Sequence, residues 1–298
     1  MSTTPAVAST RAELAALLAD TRAQGRPVGL VPTMGALHEG HASLVRTARE
    51  RVGGGPVVVS IFVNPLQFGA GEDLDRYPRT FEEDVKLCER EGVDIVFAPS
   101  VEQVYPGGDP QVQLLPGPLG EVLEGKTRPG HFRGVLTVVA KLFGLVRPDV
   151  AVFGQKDYQQ LALIRRMVLD LNLAVDVVGA ETVREYDGLA LSSRNRYLDD
   201  EQRRQATTLN RTLRAAQEVE RYGADVALDA ARAELRAADG VDLDYLVITD
   251  PDLGALPGVV PPGTEARILI AARVGTTRLI DNMPLVLGEP VASREGES

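Results

Sequence analysis

Residues 28–48 read Val28-Gly29-Leu30-Val31-Pro32-Thr33-Met34-Gly35-Ala36-Leu37-His38-Glu39-Gly40-His41-Ala42-Ser43-Leu44-Val45-Arg46-Thr47-Ala48 and are the segment most informative about the fold. Its first four residues are typical of a short buried strand, and its last six are typical of a helix. A glycine-bearing turn joins the two. In such a unit the unpaired backbone N–H groups and the helix dipole point at one spot, so the stretch predicts an anion site.

All three histidines of the chain lie in short glycine-bearing segments, His38 and His41 in this turn and His131 in Gly130-His131-Phe132. Imidazoles on the turn would add side-chain donors beside a bound anion. The alternative is that one histidine caps the helix and the other is a surface residue. Because H-x-G-H directly after a strand is more specific than an isolated glycine-rich motif, we interpret the turn as a phosphate-binding segment.

Outward from this stretch, helical and strand periodicities alternate along the first two thirds of the chain. The predicted helices begin at a Thr10–Glu13 capping box, at about Gly40, at a second capping box (Thr80-Phe81-Glu82-Glu83), at Val135 and near Tyr158. The predicted strands are 28–31, 57–62, 93–97, 150–153 and 174–178, and residues 99–130 are expected to form a long ordered loop. Alternation of this kind implies parallel strands with right-handed crossovers. The fold class is therefore α/β, a doubly wound Rossmann-like parallel sheet.

The pattern changes after about Val183. Two Ala- and Arg-rich helical stretches (199–222 and 225–238) precede consecutive β-type runs, which predicts a smaller C-terminal α+β domain. We therefore expect a nucleotide-binding domain over 1–182 and a lid domain over 183–298. The tail from Glu289 is expected to be mobile.

Composition limits the class of protein. The 298 residues carry a net charge of −10, which argues against a nucleic-acid partner held through phosphate contacts. The single cysteine, Cys88, excludes an intrachain disulfide and fits a small core residue in a reducing compartment. No apolar run reaches membrane-spanning length, and the first residues lack the order of a signal peptide. We expect a cytoplasmic protein without a membrane partner.

Further polar segments follow strands, where a parallel sheet binds its ligands. In Gly154-Gln155-Lys156-Asp157 the lysine offers a charge for a phosphate or oxyanion and the aspartate an acceptor for ribose hydroxyls. A solvated turn is the alternative for this segment.

Two further groups have weaker signals. Ser192-Ser193-Arg194 suits a triphosphate, although such runs are common in ordinary loops. Gln67 and Gln160 could fix a carboxylate or hydroxyl with neutral amides. For either glutamine alone, a position on a helix surface is favoured.

These segments together resemble the pantothenate synthetase family. The resemblance rests on residues 32–41, 62–68, 77–80, 131–135, 154–160 and 192–195 in this order and spacing, with Thr276–Asn282 near the end. It covers about residues 28–282 and weakens across 100–118 and 199–265. The family joins pantoate to β-alanine with ATP, and it belongs to the nucleotidyltransferases that carry H-x-G-H.

The resemblance implies a role for each matching residue. The nucleotide would contact Met34, Gly35, His38, His41, Gly154, Lys156, Asp157, Val183, Ser192, Ser193 and Arg194. Within this set, His41 would be the acid that assists the departure of pyrophosphate, and Lys156 would stabilise the pentavalent α-phosphate. Pantoate would bind Gln67 and Gln160, in a pocket bordered by His131 and Arg133. The resemblance also implies that Mg²⁺ accompanies the ATP, and we assign no protein ligand to that metal. It further implies a homodimer.

Two other functions are compatible with these residues. One is a nucleotidylyltransferase that stops after transferring a nucleotide to a phosphate acceptor, although Gln67 and Gln160 are neutral where such an acceptor would favour cations. The other is a nucleotide-binding sensor without turnover, against which the intact His41 and Lys156 argue.

Overall fold

The structure is a computed structural model of the chain and describes residues 4–69 and 74–288. The predicted mobile tail from Glu289 lies outside the described residues. The chain divides into two compact units, the first reaching Val183 and the second beginning at Arg184.

The described part of the first unit is a parallel sheet of six strands flanked by helices. Its strands are β1 (Ala6–Ala8), β2 (Gly29–Thr33), β3 (Val57–Ile61), β4 (Ile95–Phe97), β5 (Val150–Gly154) and β6 (Asp176–Ala180). Its helices are α1 (Arg11–Ala23), α2 (Glu39–Val52), α3 (Phe81–Arg90), α4 (Val101–Val104), α5 (Glu124–Thr127), α6 (His131–Val146) and α7 (Tyr158–Asp170). The predicted doubly wound α/β class is confirmed.

The strand order is β1-β4-β3-β2-β5-β6, and every pairing is parallel. From β2 the chain proceeds through β3 to β4 on one side of the sheet and then returns to β5 and β6 on the other. The boundary between β2 and β5 is therefore the topological switch point, where open α/β sheets bind their ligands at the carboxyl ends of the strands. The H-x-G-H turn follows β2, and the Lys156 segment follows β5.

The central strands are apolar because both of their faces are covered by helices. Leu30, Val31 and residues 57–59 have no exposed surface. Cys88 is also fully buried, as expected for a core residue, and burial raises the pKa of its thiol to about 12.

Several local predictions are corrected. The strand β1 is absent from the predicted strands, since three residues are too few to show periodicity; its partner is β4, with Ala6 opposite Ile95. The predicted loop 99–130 contains the short helices α4 and α5, and α6 begins at His131 rather than Val135. Thr80 precedes α3 but does not cap it, because its hydroxyl donates to Asp84 Oδ1 (3.2 Å) instead.

The second unit has the α+β composition expected from its sequence. Helices α8 (Asp200–Val219) and α9 (Ala224–Arg236) precede an antiparallel sheet of β7 (Val241–Thr249), β8 (Thr264–Val274) and β9 (Thr277–Leu287). Leu209 and Leu213 of α8 belong to one buried cluster with Ile268 and Ile270 of β8. No helix among the described residues of either unit is long and apolar enough to cross a membrane.

Candidate active site

The H-x-G-H turn is a helix cap made by its two histidines. The Gly40 N–H donates to His38 Nδ1 (3.1 Å), and the His38 N–H donates to His41 Nδ1 (3.2 Å). This reciprocal arrangement corresponds to a capping box, with imidazoles in place of the usual serine and glutamate. Glycine leaves room for the His38 ring here, because a Cβ at position 40 would lie 2.9 Å from His38 Cε1 and the ring would have to shift. Both imidazoles thus cap α2 through Nδ1, and both also lie at a helix N-terminus, where their remaining ring nitrogens can donate to an anion.

The hydrogen bonds fix the tautomers of the two rings. Because Nδ1 of each histidine accepts a backbone N–H, the ring proton of each lies on Nε2. The ring centroids are 4.1 Å apart. Burial, and then the neighbouring His38, lower the pKa of His41 to about 3. Asp157 opposes this shift, and Lys156 adds to it by less than Asp157 opposes it. His41 is therefore a neutral N–H donor near neutral pH in the protein without ligands.

The backbone before the first histidine is held by a buried carboxylate. Ala36 has a φ of +51°, in the left-handed region that a non-glycine residue enters at a cost of about 1 kcal/mol. Its N–H donates to Asp84 Oδ2 (3.0 Å), and the Leu37 N–H donates to Asp84 Oδ1 (2.7 Å). Asp84 is 2% exposed, so these bonds lie away from water. Asp84 keeps the turn in its strained conformation.

The second strand-end segment lies beside the first. Lys156 Nζ is 3.8 Å from Asp157 Oδ1, and the lysine side chain is 18% exposed while the aspartate is 52% exposed. Because β2 and β5 are neighbouring parallel strands, the turn after β2 and the segment after β5 leave the same edge of the sheet. Lys156 and Asp157 both act on the pKa of His41. The Gln155 amide donates to the Gly179 carbonyl (3.0 Å) and ties this segment to β6. Gly154, at the end of β5, and Val183, at the end of the unit, are partly buried.

Gln67 is buried, not on a helix surface. It ends a short 3₁₀ turn after β3, and its Nε2 donates to Met34 Sδ (2.9 Å), which brings it to the H-x-G-H segment. His131 Nδ1 lies 2.8 Å from the Gln67 carbonyl, and Arg128 Nη1 lies 3.0 Å from His131 Nε2. Since a carbonyl only accepts and a guanidinium only donates, His131 is neutral with its proton on Nδ1.

The other residues predicted for the acid pocket, Gln160 and Arg133, have no described hydrogen bond with Gln67. Gln160 is partly buried in the first turn of α7, while its neighbour Gln159 is buried and bonded to the backbone of residues 119–124. Arg133 is exposed and donates to Gln113 Oε1 (3.3 Å). In the described contacts it is Arg128, not Arg133, that reaches the Gln67 region. A role for Gln160 or Arg133 in binding the acid stays a prediction.

The serine segment belongs to the second unit and is described there by itself. Ser192 Oγ accepts the Arg194 N–H (3.2 Å) and so caps a 3₁₀ turn over Ser193–Tyr197. Asn195 anchors this turn by donating to Glu185 Oε1 (2.7 Å) and to the Ala190 carbonyl (3.1 Å). Ser192, Ser193 and Arg194 are each partly exposed.

The residues just before the serine segment are bonded to the Thr276–Asn282 motif near the end of the chain. Arg184 forms a two-pronged ion pair with Asp281 (2.7 and 3.0 Å), and Asp281 is 4% exposed. Arg184 also donates to the Gly188 carbonyl (3.1 Å). The Thr276–Asn282 motif thus holds the hairpin that leads into the serine segment.

Sequence reasoning missed Asp84, Asn64 and Tyr105, three buried polar residues that position the site. For Asp84 a signal was present: it lies three and four residues before Leu87 and Cys88, so it is a charged residue on the apolar face of α3. For Tyr105 the sequence has no comparable signal, because its partner Asn64 lies 41 residues away.

The chain is similar to known proteins over nearly its whole length. The family model for pantoate-beta-alanine ligase matches residues 6–284. A pantothenate synthetase of a Nocardioides species is 78% identical over 97% of this chain and 87% of its own length. A pantothenate synthetase of Mycolicibacterium smegmatis is 56% identical over 95% of this chain and 88% of its own length.

Solved structures give the same result. Pantothenate synthetase from Thermus thermophilus superposes with a TM-score of 0.84 at 51% identity, covering 93% of this chain and 98% of its own. Pantoate-beta-alanine ligase from Francisella tularensis, complexed with beta-gamma ATP and beta-alanine, has a TM-score of 0.75 at 32% identity and covers 94% and 97%. With a family model over residues 6–284 and relatives of 51–78% identity over nearly the whole chain, the protein belongs to the pantoate–β-alanine ligase family, whose members are the pantothenate synthetases.

Proposed function

We propose that the protein condenses pantoate with β-alanine to form pantothenate, using ATP and passing through pantoyl adenylate. Family membership supports the reaction, and the Francisella relative is described with a nucleotide and beta-alanine bound. The observation that supports it most in this chain is the neighbourhood of the H-x-G-H turn and Lys156 at the switch point of the sheet.

The first step follows from the poor electrophilicity of a carboxylate. A pantoate oxygen attacks the α-phosphorus of ATP, the bond to the β-phosphate oxygen breaks, and pyrophosphate leaves with the bonding electrons. Lys156 would counter the charge that develops on the α-phosphate. His38 and His41 would donate from Nε2 to phosphate oxygens. Of the residues that the resemblance adds, Met34, Gly35, Gly154, Asp157 and Val183 would contact the nucleoside, and Ser192, Ser193 and Arg194 would bind the triphosphate.

The second step makes the amide. The amine of β-alanine attacks the acyl carbon, the carbon–oxygen bond to AMP breaks, and the nitrogen loses a proton. No protein residue forms a covalent bond in either step. Because the mixed anhydride is sensitive to water, the site must exclude water between the steps. We propose that the second unit is the lid domain that does so.

The metal would enter with the nucleotide. The described residues include no group of three histidine, cysteine or acidic side chains that could hold a metal ion. Magnesium commonly binds through substrate phosphates with one or two carboxylates. The residues near Lys156 fit that case, because Asp157 would contact the ribose and the phosphates of ATP would supply most of the oxygen ligands of the metal. When bound, Mg²⁺ would screen the phosphate charge.

The homodimer and the cytoplasmic location rest on the resemblance and the composition. Light scattering of the purified protein tests the homodimer directly. The lone Cys88 is consistent with a reducing compartment.

ATP–pyrophosphate exchange tests the function. We expect exchange that depends on pantoate and does not need β-alanine, together with pantothenate and AMP once β-alanine is added. A nucleotidylyltransferase would need a phosphate acceptor instead, and a sensor would show no exchange. Absence of pantoate-dependent exchange in the folded protein would refute the proposal.

A further inference from the structure

A buried hydrogen-bonded relay runs from the segment 100–118 to the acid side of the site. The Tyr105 hydroxyl donates to Asn64 Oδ1 (2.8 Å). Asn64 Nδ2 donates to Gln67 Oε1 (3.1 Å), and Gln67 Nε2 donates to Met34 Sδ (2.9 Å). Tyr105 is 3% exposed and Asn64 1% exposed, so both act away from water.

Two backbone groups fix the direction of this relay. The Leu66 N–H donates to Asn64 Oδ1 (3.3 Å), and the Gly134 carbonyl accepts from Asn64 Nδ2 (3.1 Å). Since an N–H only donates and a carbonyl only accepts, the oxygen and nitrogen of the Asn64 amide cannot be exchanged. The close approach of α6 that brings this carbonyl depends on glycine, because a Cβ at position 134 would lie 2.1 Å from the Leu66 carbonyl oxygen.

The fixed asparagine in turn fixes Gln67. Asn64 Nδ2 offers hydrogens, so the Gln67 atom facing it must be the oxygen. The nitrogen of Gln67 is left facing Met34 Sδ, a weak acceptor. An oxygen of an acid substrate is a stronger acceptor and would replace the sulfur at little cost.

The Tyr105 hydroxyl completes the relay. It comes from beyond α4, in a segment to which the resemblance assigns no role, and it supplies the stronger of the two described donors to Asn64 Oδ1. Burial raises the pKa of this phenol, so it remains a protonated donor at all working pH values. The ring lies beside Phe62 (centroids 6.1 Å apart), and Lys141 Nζ lies 5.5 Å from the ring centroid without contacting the hydroxyl in any described hydrogen bond.

We propose that Tyr105 is a positioning residue for the acid substrate: through Asn64 it holds the Gln67 amide with its NH₂ group toward the pocket, ready to donate to an oxygen of pantoate. This inference rests on the proposed function. It predicts that loss of the hydroxyl affects the acid and not the nucleotide.

The test is a double-mutant cycle read in pantoate-dependent ATP–pyrophosphate exchange. Tyr105→Phe should raise the KM for pantoate about five- to tenfold, the effect of one buried hydrogen bond, and change the KM for ATP less than about twofold. In a Gln67→Ala background the same substitution should have no further effect on the KM for pantoate, since Tyr105 acts through Gln67.

Lys141→Met is the matched control. It removes the cation beside the Tyr105 ring but keeps the hydroxyl, so we expect the KM for pantoate to stay at the wild-type value. Thermal unfolding of each variant shows that it is folded.

Two results would overturn the proposal. One is an unchanged KM for pantoate in folded Tyr105→Phe. The other is an equal rise in the wild-type and Gln67→Ala backgrounds, which would show a general structural effect. Either result leaves pantoate-dependent exchange intact in the wild type, so failure of this inference is distinct from failure of the proposed function.

Discussion

His38 and His41 cap the same end of α2, each through its Nδ1 atom, so each ring carries its proton on Nε2. The pair therefore has two functions at once. It completes the backbone hydrogen bonding of the turn, and it holds two imidazole donors with defined tautomers at a helix N-terminus.

The first prediction concerns the stability of the protein in acid. The pKa of His41 is about 3 in the folded protein and about 6.5 in the unfolded chain. Between these values the unfolded chain binds more protons, so the free energy of unfolding rises with pH across this window and falls on acidification. We expect His41 to contribute a loss of up to about 2 kcal/mol between pH 7.5 and pH 5.

Urea unfolding of the wild type and of His41→Gln at both pH values measures this loss. Glutamine at this position can still accept the His38 N–H, as in an ordinary capping box, but it does not titrate. A difference between the two proteins that does not change with pH would show that His41 has a normal pKa.

The second prediction concerns His41 in catalysis. His41→Gln keeps the cap but removes the imidazole donor, so we expect adenylation to slow by about 100-fold or more. His41→Ala would also remove the cap, at a cost of about 1 kcal/mol in stability. Pantoate-dependent exchange in the folded glutamine variant is the measurement, and an unchanged rate would exclude His41 from the mechanism.

The third prediction concerns Lys156. A lysine directed at the pentavalent phosphorus changes the rate more than the binding of ATP. Lys156→Ala should therefore slow adenylate formation strongly while leaving much of the reaction between preformed pantoyl adenylate and β-alanine intact. Single-turnover measurement of the two half-reactions decides the matter. An equal fall in both would mean that Lys156 positions the AMP group instead.

The fourth prediction concerns Asp84. Asp84→Asn places an NH₂ group against one of the two backbone N–H donors of Ala36 and Leu37. We expect a loss of about 1–3 kcal/mol in stability and a raised KM for ATP, since the turn relaxes from its left-handed conformation. The neighbouring Glu83 is exposed, so Glu83→Gln is the control and should change neither quantity. Equal stability and equal KM for ATP in the two variants would show that Asp84 does not hold the turn.

The fifth prediction concerns the second unit. Arg184→Met leaves the buried Asp281 carboxylate without its two-pronged partner, which should cost about 3–5 kcal/mol. The exposed pair Arg232–Asp229 is the control, and Arg232→Met should cost less than about 1 kcal/mol. Differential scanning calorimetry measures both. A small effect of Arg184→Met would mean that the hairpin before the serine segment is held by its other contacts.

How far the sequence predicts the structure depends on the distance between interacting residues. The alternation of helices and strands and the turn after β2 are local patterns, and they were predicted correctly. The predicted Thr80 capping box is wrong, because the Thr80 hydroxyl donates to Asp84 instead. Asp84 in turn accepts a hydrogen bond from the backbone of Ala36, in a distant segment of the chain. Hydrogen bonds such as Tyr105 to Asn64 join distant parts of the chain, and no local period encodes them.

The position of β1 has a consequence for how the chain assembles. This strand is near the start of the chain, yet it pairs with β4, and the pairing of Ala6 with Ile95 spans nearly a third of the sequence. During synthesis β1 has no strand to pair with until β4 has left the ribosome, whereas β2 and β3 can already associate. Synthesis and assembly thus run in different orders: β1 is made before β2 and β3 but is added at the outer edge of the described sheet, where it covers the backbone groups that β4 would otherwise expose to other chains.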